Sequence, residues 1–126
     1  SVGVRQCAAY RGIIDRRRRI AAFYDEALAD VLPDARPPLV DGATYSHYVL
    51  RVADPDAMVK AAARRGIELG RLIDYCVPDM TAYRAMTSTQ GPFAETRRLN
   101  DSVVNLPLWV DEAQARRVVE VIKDIA

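Results

Sequence analysis

A chain of 126 residues has the length of one domain, enough to bury about two-thirds of its unfolded surface without a disulfide or metal staple. Half of it is apolar and 28% charged, and the formal net charge of +1 excludes the strongly basic balance of a nucleic-acid binder. No apolar run approaches the roughly 20 residues that span a bilayer and no segment resembles a signal peptide, so the composition predicts a cytoplasmic globular protein whose Cys7 and Cys76 are reduced and buried.

The chain starts without an initiator methionine, directly in helix-like sequence, which reads as a fragment or a processed product. Over residues 4–31 the apolar positions recur at helical spacing. Tyr10, Ile13, Ile14, Ile20, Ala21, Tyr24, Ala27, Leu28 and Val31 form one inward stripe, broken only by Arg17. Such a helix would be roughly 40 Å long, with Gly12 as a place for a kink. Pro33, followed by Pro37 and Pro38, ends the helical pattern, and a surface loop follows.

Residues 45–52, YSHYVLRV, carry the aromatic and β-branched side chains of a strand, with Tyr48, Leu50 and Val52 on one face. Asp54-Pro55 supplies an N-cap and a first-turn proline for a short helix that Gly66 closes. Residues 67–73 read as a second extended segment. Between 74 and 92 the composition is that of a long, partly irregular loop, the kind that more often carries function than structure. In the stretch 91–110, a Gly91-Pro92 turn leads into a helix from Phe93 that breaks at Asn100-Asp101. A short strand over 102–106 follows, and Pro107 stops it. Asp111 with Gln114 has the spacing of a capping box, and Ala115, Val118, Val119, Ile122 and Ile125 form the inward stripe of a closing helix. The fold class expected is α+β, with a small, mostly antiparallel sheet of about three strands, helices mainly on one face and a long N-terminal helix.

The run Arg16 to Arg19 reads as solvated helix positions rather than a phosphate or nucleic-acid contact, since no aromatic stacking platform accompanies it. His47 is the only histidine, and without a second histidine or a Cys/His cluster a metal site is not expected. Ser46 and His47, neighbours in a predicted strand, should point to opposite faces and so not pair as nucleophile and base. Lys60 and Lys123, the only lysines, fall mid-helix and in a last helical turn, neither of them a cofactor-anchoring loop. Arg71, Asp74, Tyr75, Tyr83 and Arg84 cluster around the long loop. They read equally as ordinary loop residues or as a polar cleft wall able to bond a hydroxylated or anionic ligand.

Three segments resemble one family. Ser1 to Ala9 (SVGVRQCAA) with Arg17 to Leu28 (RRRIAAFYDEAL) resembles the QAA…RR…A..YDEAL helix of the DegT/StrS aminotransferases. Gly66-Ile67-Glu68 with Pro78 and Tyr83 is similar to that family's GI-strand and following loop. Pro92-Phe93-Ala94-Glu95 with Val104-Asn105-Leu106-Pro107-Leu108 is similar to its P-x-A-E…LPL signature. The resemblance implies the C-terminal small domain of a pyridoxal-phosphate-dependent sugar aminotransferase, spanning residues 1–126. The cofactor, its Schiff-base lysine and the ring-stacking residues would lie in a large domain outside this sequence.

The implied function is one wall of a nucleotide-sugar or aminocyclitol cleft plus support of a homodimer. No catalytic, cofactor-binding or metal residue is expected in the chain itself. Its expected partners are the large domain or a second copy, with neither nucleic acid nor membrane. Arg71, Asp74, Tyr75 and Tyr83 are the expected cleft set, with His47 as an outsider, while Phe93, Leu106, Leu108 and Trp109 go to core or interface. Where many members carry a histidine after the GI-strand, this chain has Asp74-Tyr75-Cys76, so that histidine's role has no carrier here. The rival expectation is a free-standing interaction or ligand-binding module derived from such a domain.

Overall fold

The computed structural model describes residues 2–71, 75–83 and 93–126. Its elements in chain order are α1 (Val2–Ala27), β1 (Tyr48–Arg51), α2 (Pro55–Ala63), a 3-10 turn (Val77–Asp79), α3 (Ala94–Asn100), β2 (Val103–Leu106) and α4 (Glu112–Ile125).

Strands β1 and β2 pair antiparallel, Tyr48 opposite Leu106 and Leu50 opposite Val104. These four side chains are buried, as period-2 alternation requires of one covered sheet face. The expected third strand is reduced, among the described residues, to a single bridge. Gly70 N–H donates to the Asn105 carbonyl at 3.1 Å and Asn105 N–H returns the bond at 2.8 Å. The other half of the expected 67–73 strand, residues 72–73, lies outside the described residues.

Helices α1, α2 and α4 cover the sheet, with α4 touching both α1 and α2. The core takes Ile20, Ala21, Tyr24 and Leu28 from α1, Met58 and Ala62 from α2, and Ala115, Val118, Val119, Val121 and Ile122 from α4. Capping sets the helix ends. The Asp111 carboxylate accepts from Gln114 N–H at 2.8 Å while the Gln114 side chain accepts from Asp111 N–H at 2.9 Å, a reciprocal pair contributing about 1 kcal/mol. Asp54 accepts from Ala57 N–H, and Gly66 follows α2 at φ +77, a left-handed conformation glycine takes without a Cβ clash.

Several expectations are corrected. The first helix ends at Ala27, not Val31, and it runs through Gly12 unbroken. Its inward stripe is buried only from Ile20 onward. Tyr10, in its N-terminal half, is 56% exposed and Val31, beyond its end, 41%. Cys7, on that half, is exposed rather than buried, while Cys76 is buried, and both thiols are free. The first strand starts three residues later than expected, since Tyr45 takes a left-handed φ of 47. Of the four residues expected in core or interface, Leu106 and Leu108 are in the core at 2% exposed, and Phe93 and Trp109 are 38% and 65% exposed.

Candidate functional site

Ser46 and His47 lie just before β1, outside the alternation of the strand, and the side chains meet: His47 Nδ1 and Ser46 Oγ are 3.2 Å apart. The expected opposition of the two is therefore corrected, because alternation applies only once extended geometry begins at Tyr48. No carboxylate bonds the other ring nitrogen among the described residues, so the pair lacks the orienting group of an activated nucleophile.

The Gly70–Asn105 bridge brings the segment 68–71 alongside the end of β2. A groove of about 410 Å³ there is lined by Ser46, His47, Glu68, Arg71, Asn105, Pro107 and Trp109. Two of the expected cleft residues, His47 and Arg71, thus share one site. Arg71 is held rigidly there. Its Nη1 donates to Asp56 at 2.8 Å and its Nη2 to the Asn100 carbonyl at 2.8 Å, which ties the groove to α2 and to the end of α3. Its Nε is buried with no partner, as is the Oδ1 of Asn105.

Tyr75 falls elsewhere, in a shallower depression of about 350 Å³ with Cys76, Asp79, Met80 and Arg97. There the Asp79 carboxylate takes two bonds from the Arg97 guanidinium, at 2.6 and 2.7 Å. Burial, and then the Asp79 charge, push the Cys76 thiol above its ordinary pKa, which disfavours the reactive thiolate. Tyr83 is 44% exposed and borders neither hollow. Asp74 and Arg84 lie outside the described residues.

Another groove, of about 450 Å³ between α1 and the start of α4, is lined by the apolar Ile20, Phe23 and Val110 and by Arg16, Arg19 and Arg116. Its carboxylates already serve the fold: Asp111 caps α4 and Glu112 sits 3.9 Å from Arg116. None of its lining residues is among the buried side chains without a partner, so the smaller groove at His47 is the better candidate. Of the arginine run, two members have structural tasks. The Arg17 guanidinium lies 4.2 Å from the Trp109 ring centroid, a cation–π contact. Arg18 donates to the carbonyls of Ala43 and Gly42, both at 2.8 Å.

Sequence reasoning missed Glu68, Asn105 and Trp109 as groove residues. One signal was available for Asn105: a polar residue between Val104 and Leu106 must face away from the covered side of the sheet. No comparable signal marks Glu68 or Trp109, whose convergence depends on the bridge at Gly70.

The family model described as the DegT/DnrJ/EryC1/StrS aminotransferase family matches residues 1–123. No curated protein matches the chain. Among solved structures, a DegT DnrJ EryC1 StrS aminotransferase from Brucella abortus is 23% identical with a TM-score of 0.84, over 96% of this chain and 33% of that one. The aminotransferase TlmJ from Streptoalloteichus hindustanus is 24% identical with a TM-score of 0.80, over 98% and 34%. The sugar aminotransferase CalS13 from Micromonospora echinospora is 27% identical with a TM-score of 0.70, over 88% and 30%. The chain therefore spans about a third of the length of the solved relatives it matches.

Proposed function

The chain belongs to the DegT/DnrJ/EryC1/StrS aminotransferase family, and from that premise we propose that it is the C-terminal small domain of a pyridoxal-phosphate-dependent sugar aminotransferase, forming one wall of the substrate cleft and inactive by itself. The observation that carries this reading is a polar groove without a lysine. His47, Glu68, Arg71 and Asn105 line it, while Lys60 and Lys123 are both exposed, on the outer surfaces of α2 and α4. Pyridoxal phosphate, when bound, supplies an electron sink for amino transfer and needs a lysine amine beside a phosphate cup. The described residues do not fit that group, so its place is assigned to the two-thirds of the parent that this chain does not span.

The exposed N-terminal half of α1, with Val4 69% and Tyr10 56% exposed, is assigned to packing against that remainder or a second copy, in a homodimer. The protein is placed in the cytoplasm, where free thiols such as Cys7 and Cys76 stay reduced. No helix among the described residues is long and apolar enough to cross a membrane. A nucleotide sugar or an aminocyclitol is the substrate class.

Two measurements test the proposal. Pyridoxal phosphate added to the 126-residue chain should leave the absorbance of the free cofactor unchanged. A new band that borohydride makes permanent on Lys60 or Lys123 would overturn the assignment. In a chain that includes the cofactor-bearing remainder, His47→Ala should raise KM for the sugar about tenfold, equivalent to about 1.4 kcal/mol, with a smaller change in kcat. Unchanged KM and kcat would instead favour a binding module unconnected with the cleft.

A further inference from the structure

Of the run Arg16 to Arg19, the two middle members have structural tasks and the outer two have none. Arg16 and Arg19 are exposed, and the side chain of neither enters an ion pair or hydrogen bond among the described residues. Both line the 450 Å³ groove between α1 and the start of α4, together with Ile20, Phe23 and Val110. The other charges of that lining are engaged. The Asp111 carboxylate accepts from Gln114 N–H, and Glu112 faces Arg116 at 3.9 Å. What remains is an apolar hollow with two unmatched cations in its lining, which suits an aliphatic side chain with a carboxylate close by.

The chain itself displays such a group. Leu39 and Val40 are 53% and 59% exposed. The next residue, Asp41, is exposed as well, and its carboxylate has no partner among the described residues. These side chains stand on a turn that is held in place. Ala43 N–H donates to the Val40 carbonyl at 3.1 Å, and Gly42 takes the left-handed φ of +78 that favours glycine at the third position of such a turn. From α1, Arg18 donates to the Gly42 and Ala43 carbonyls at 2.8 Å each. Order present before contact reduces the entropy lost on docking.

Loop and groove lie apart on the molecule. Arg18 and Ala22 of α1 border the loop, whereas Arg16, Arg19, Ile20 and Phe23 border the groove. At 3.6 residues per turn the two sets fall on the two flanks of α1, either side of the buried Ala21 and Tyr24. A loop pinned to one flank therefore meets the groove on the other flank only in another copy.

We infer that the 39–41 loop of one copy docks in the α1/α4 groove of the next, with Leu39 and Val40 against Ile20, Phe23 and Val110 and with Asp41 paired to Arg16 and Arg19. Surfaces on two flanks of one helix do not meet in a mutual two-fold contact. A docked pair thus keeps one free loop and one free groove, and association continues past two copies. The contact is separate from the exposed N-terminal half of α1 and independent of the cleft-wall reading.

One loop in one groove is a small interface of the weak, transient class, so the test is sedimentation of the 126-residue chain at low ionic strength and about 0.1–1 mM. The average mass should rise with concentration. Arg19→Glu and Asp41→Arg change exposed side chains outside the core, and a cooperative urea transition verifies each fold. Each should weaken association about tenfold, because each sets like charges together. The chain with both changes should return to within about threefold of the parent, and an equimolar mixture of the single variants should associate more strongly than either alone. A chain that stays monomeric at about 1 mM overturns the inference. So does association that both single variants retain, which belongs to the N-terminal half of α1. Loss in both variants without recovery in the double variant overturns it too, since the two charges then act in different contacts. If the monomeric chain instead binds a labelled Glu-Glu-Leu-Val-Glu-Glu peptide and Arg19→Glu abolishes the binding, the occupant is a foreign acidic segment and not a second copy.

Discussion

Replacing Tyr24 with alanine should cost about 3–5 kcal/mol of folding stability, the range for emptying a buried aromatic site. Tyr24 is fully buried at the point where α1 meets the sheet. Its ring meets Tyr48 edge-on with centroids 5.4 Å apart, a geometry worth about 0.5–1.5 kcal/mol beyond area burial. Its hydroxyl donates to the Pro107 carbonyl at 2.8 Å, fastening the first helix to the chain just beyond β2. A domain of this size has only about 5–15 kcal/mol in total, so the loss would take a large share of it. Urea unfolding should show the midpoint falling with the slope unchanged. Tyr24→Phe separates the two roles of the residue. It keeps the ring and loses only the bond to Pro107, about 1 kcal/mol. A Tyr24→Ala chain within about 1 kcal/mol of the parent would mean that α1 is held by something other than this contact.

The elements most legible in the sequence are those fixed by neighbours in the chain. Asp54-Pro55 and the Asp111/Gln114 pair announce α2 and α4 because a cap is a bond between residues three apart. The α+β class and the position of β2 follow from periodicity in the same way. What periodicity cannot supply is the surface opposite a stripe. Tyr10 continues the helical spacing of Ile20 and Tyr24, yet only the latter two are buried, because the pattern says which face is apolar and not what covers it.

The candidate site was legible in part for the same reason. His47 is legible as the only histidine and Arg71 as a member of the polar cluster around the long loop, and the fold brings the two into one groove. Tyr75 had equal standing in the sequence and lies in another depression. There it sits with Asp79 of the 3-10 turn Val77–Asp79 and with Arg97 of α3, a convergence that no spacing rule records. Strand alternation from residue 45 sets Ser46 and His47 on opposite faces, whereas the left-handed turn at Tyr45 removes both residues from the strand.

Stability should also fall steeply above about pH 10, and the cause lies in the same pair of rings. Tyr24 and Tyr48 are both fully buried. Burial raises the pKa of each well above its ordinary value. For Tyr48 the Asp25 carboxylate, which accepts its hydroxyl proton at 3.4 Å, adds to the rise, and Arg36 opposes it. A raised pKa means that the folded chain holds the neutral phenol more firmly than the unfolded chain does. The resulting contribution is complete below the unfolded value of about 10. It declines as pH rises toward the folded value, by about 1.4 kcal/mol per pH unit for each tyrosine. Urea midpoints measured between about pH 8 and pH 12 should therefore be level at first and then drop. Tyr48→Phe should roughly halve the slope of the drop, since phenylalanine has no proton to lose and keeps the edge-on contact with Tyr24. If the Tyr48→Phe chain loses stability with alkali as steeply as the parent, the alkaline limb belongs to other groups, and the Tyr24–Tyr48 contact is open enough to water for both phenols to ionise in place.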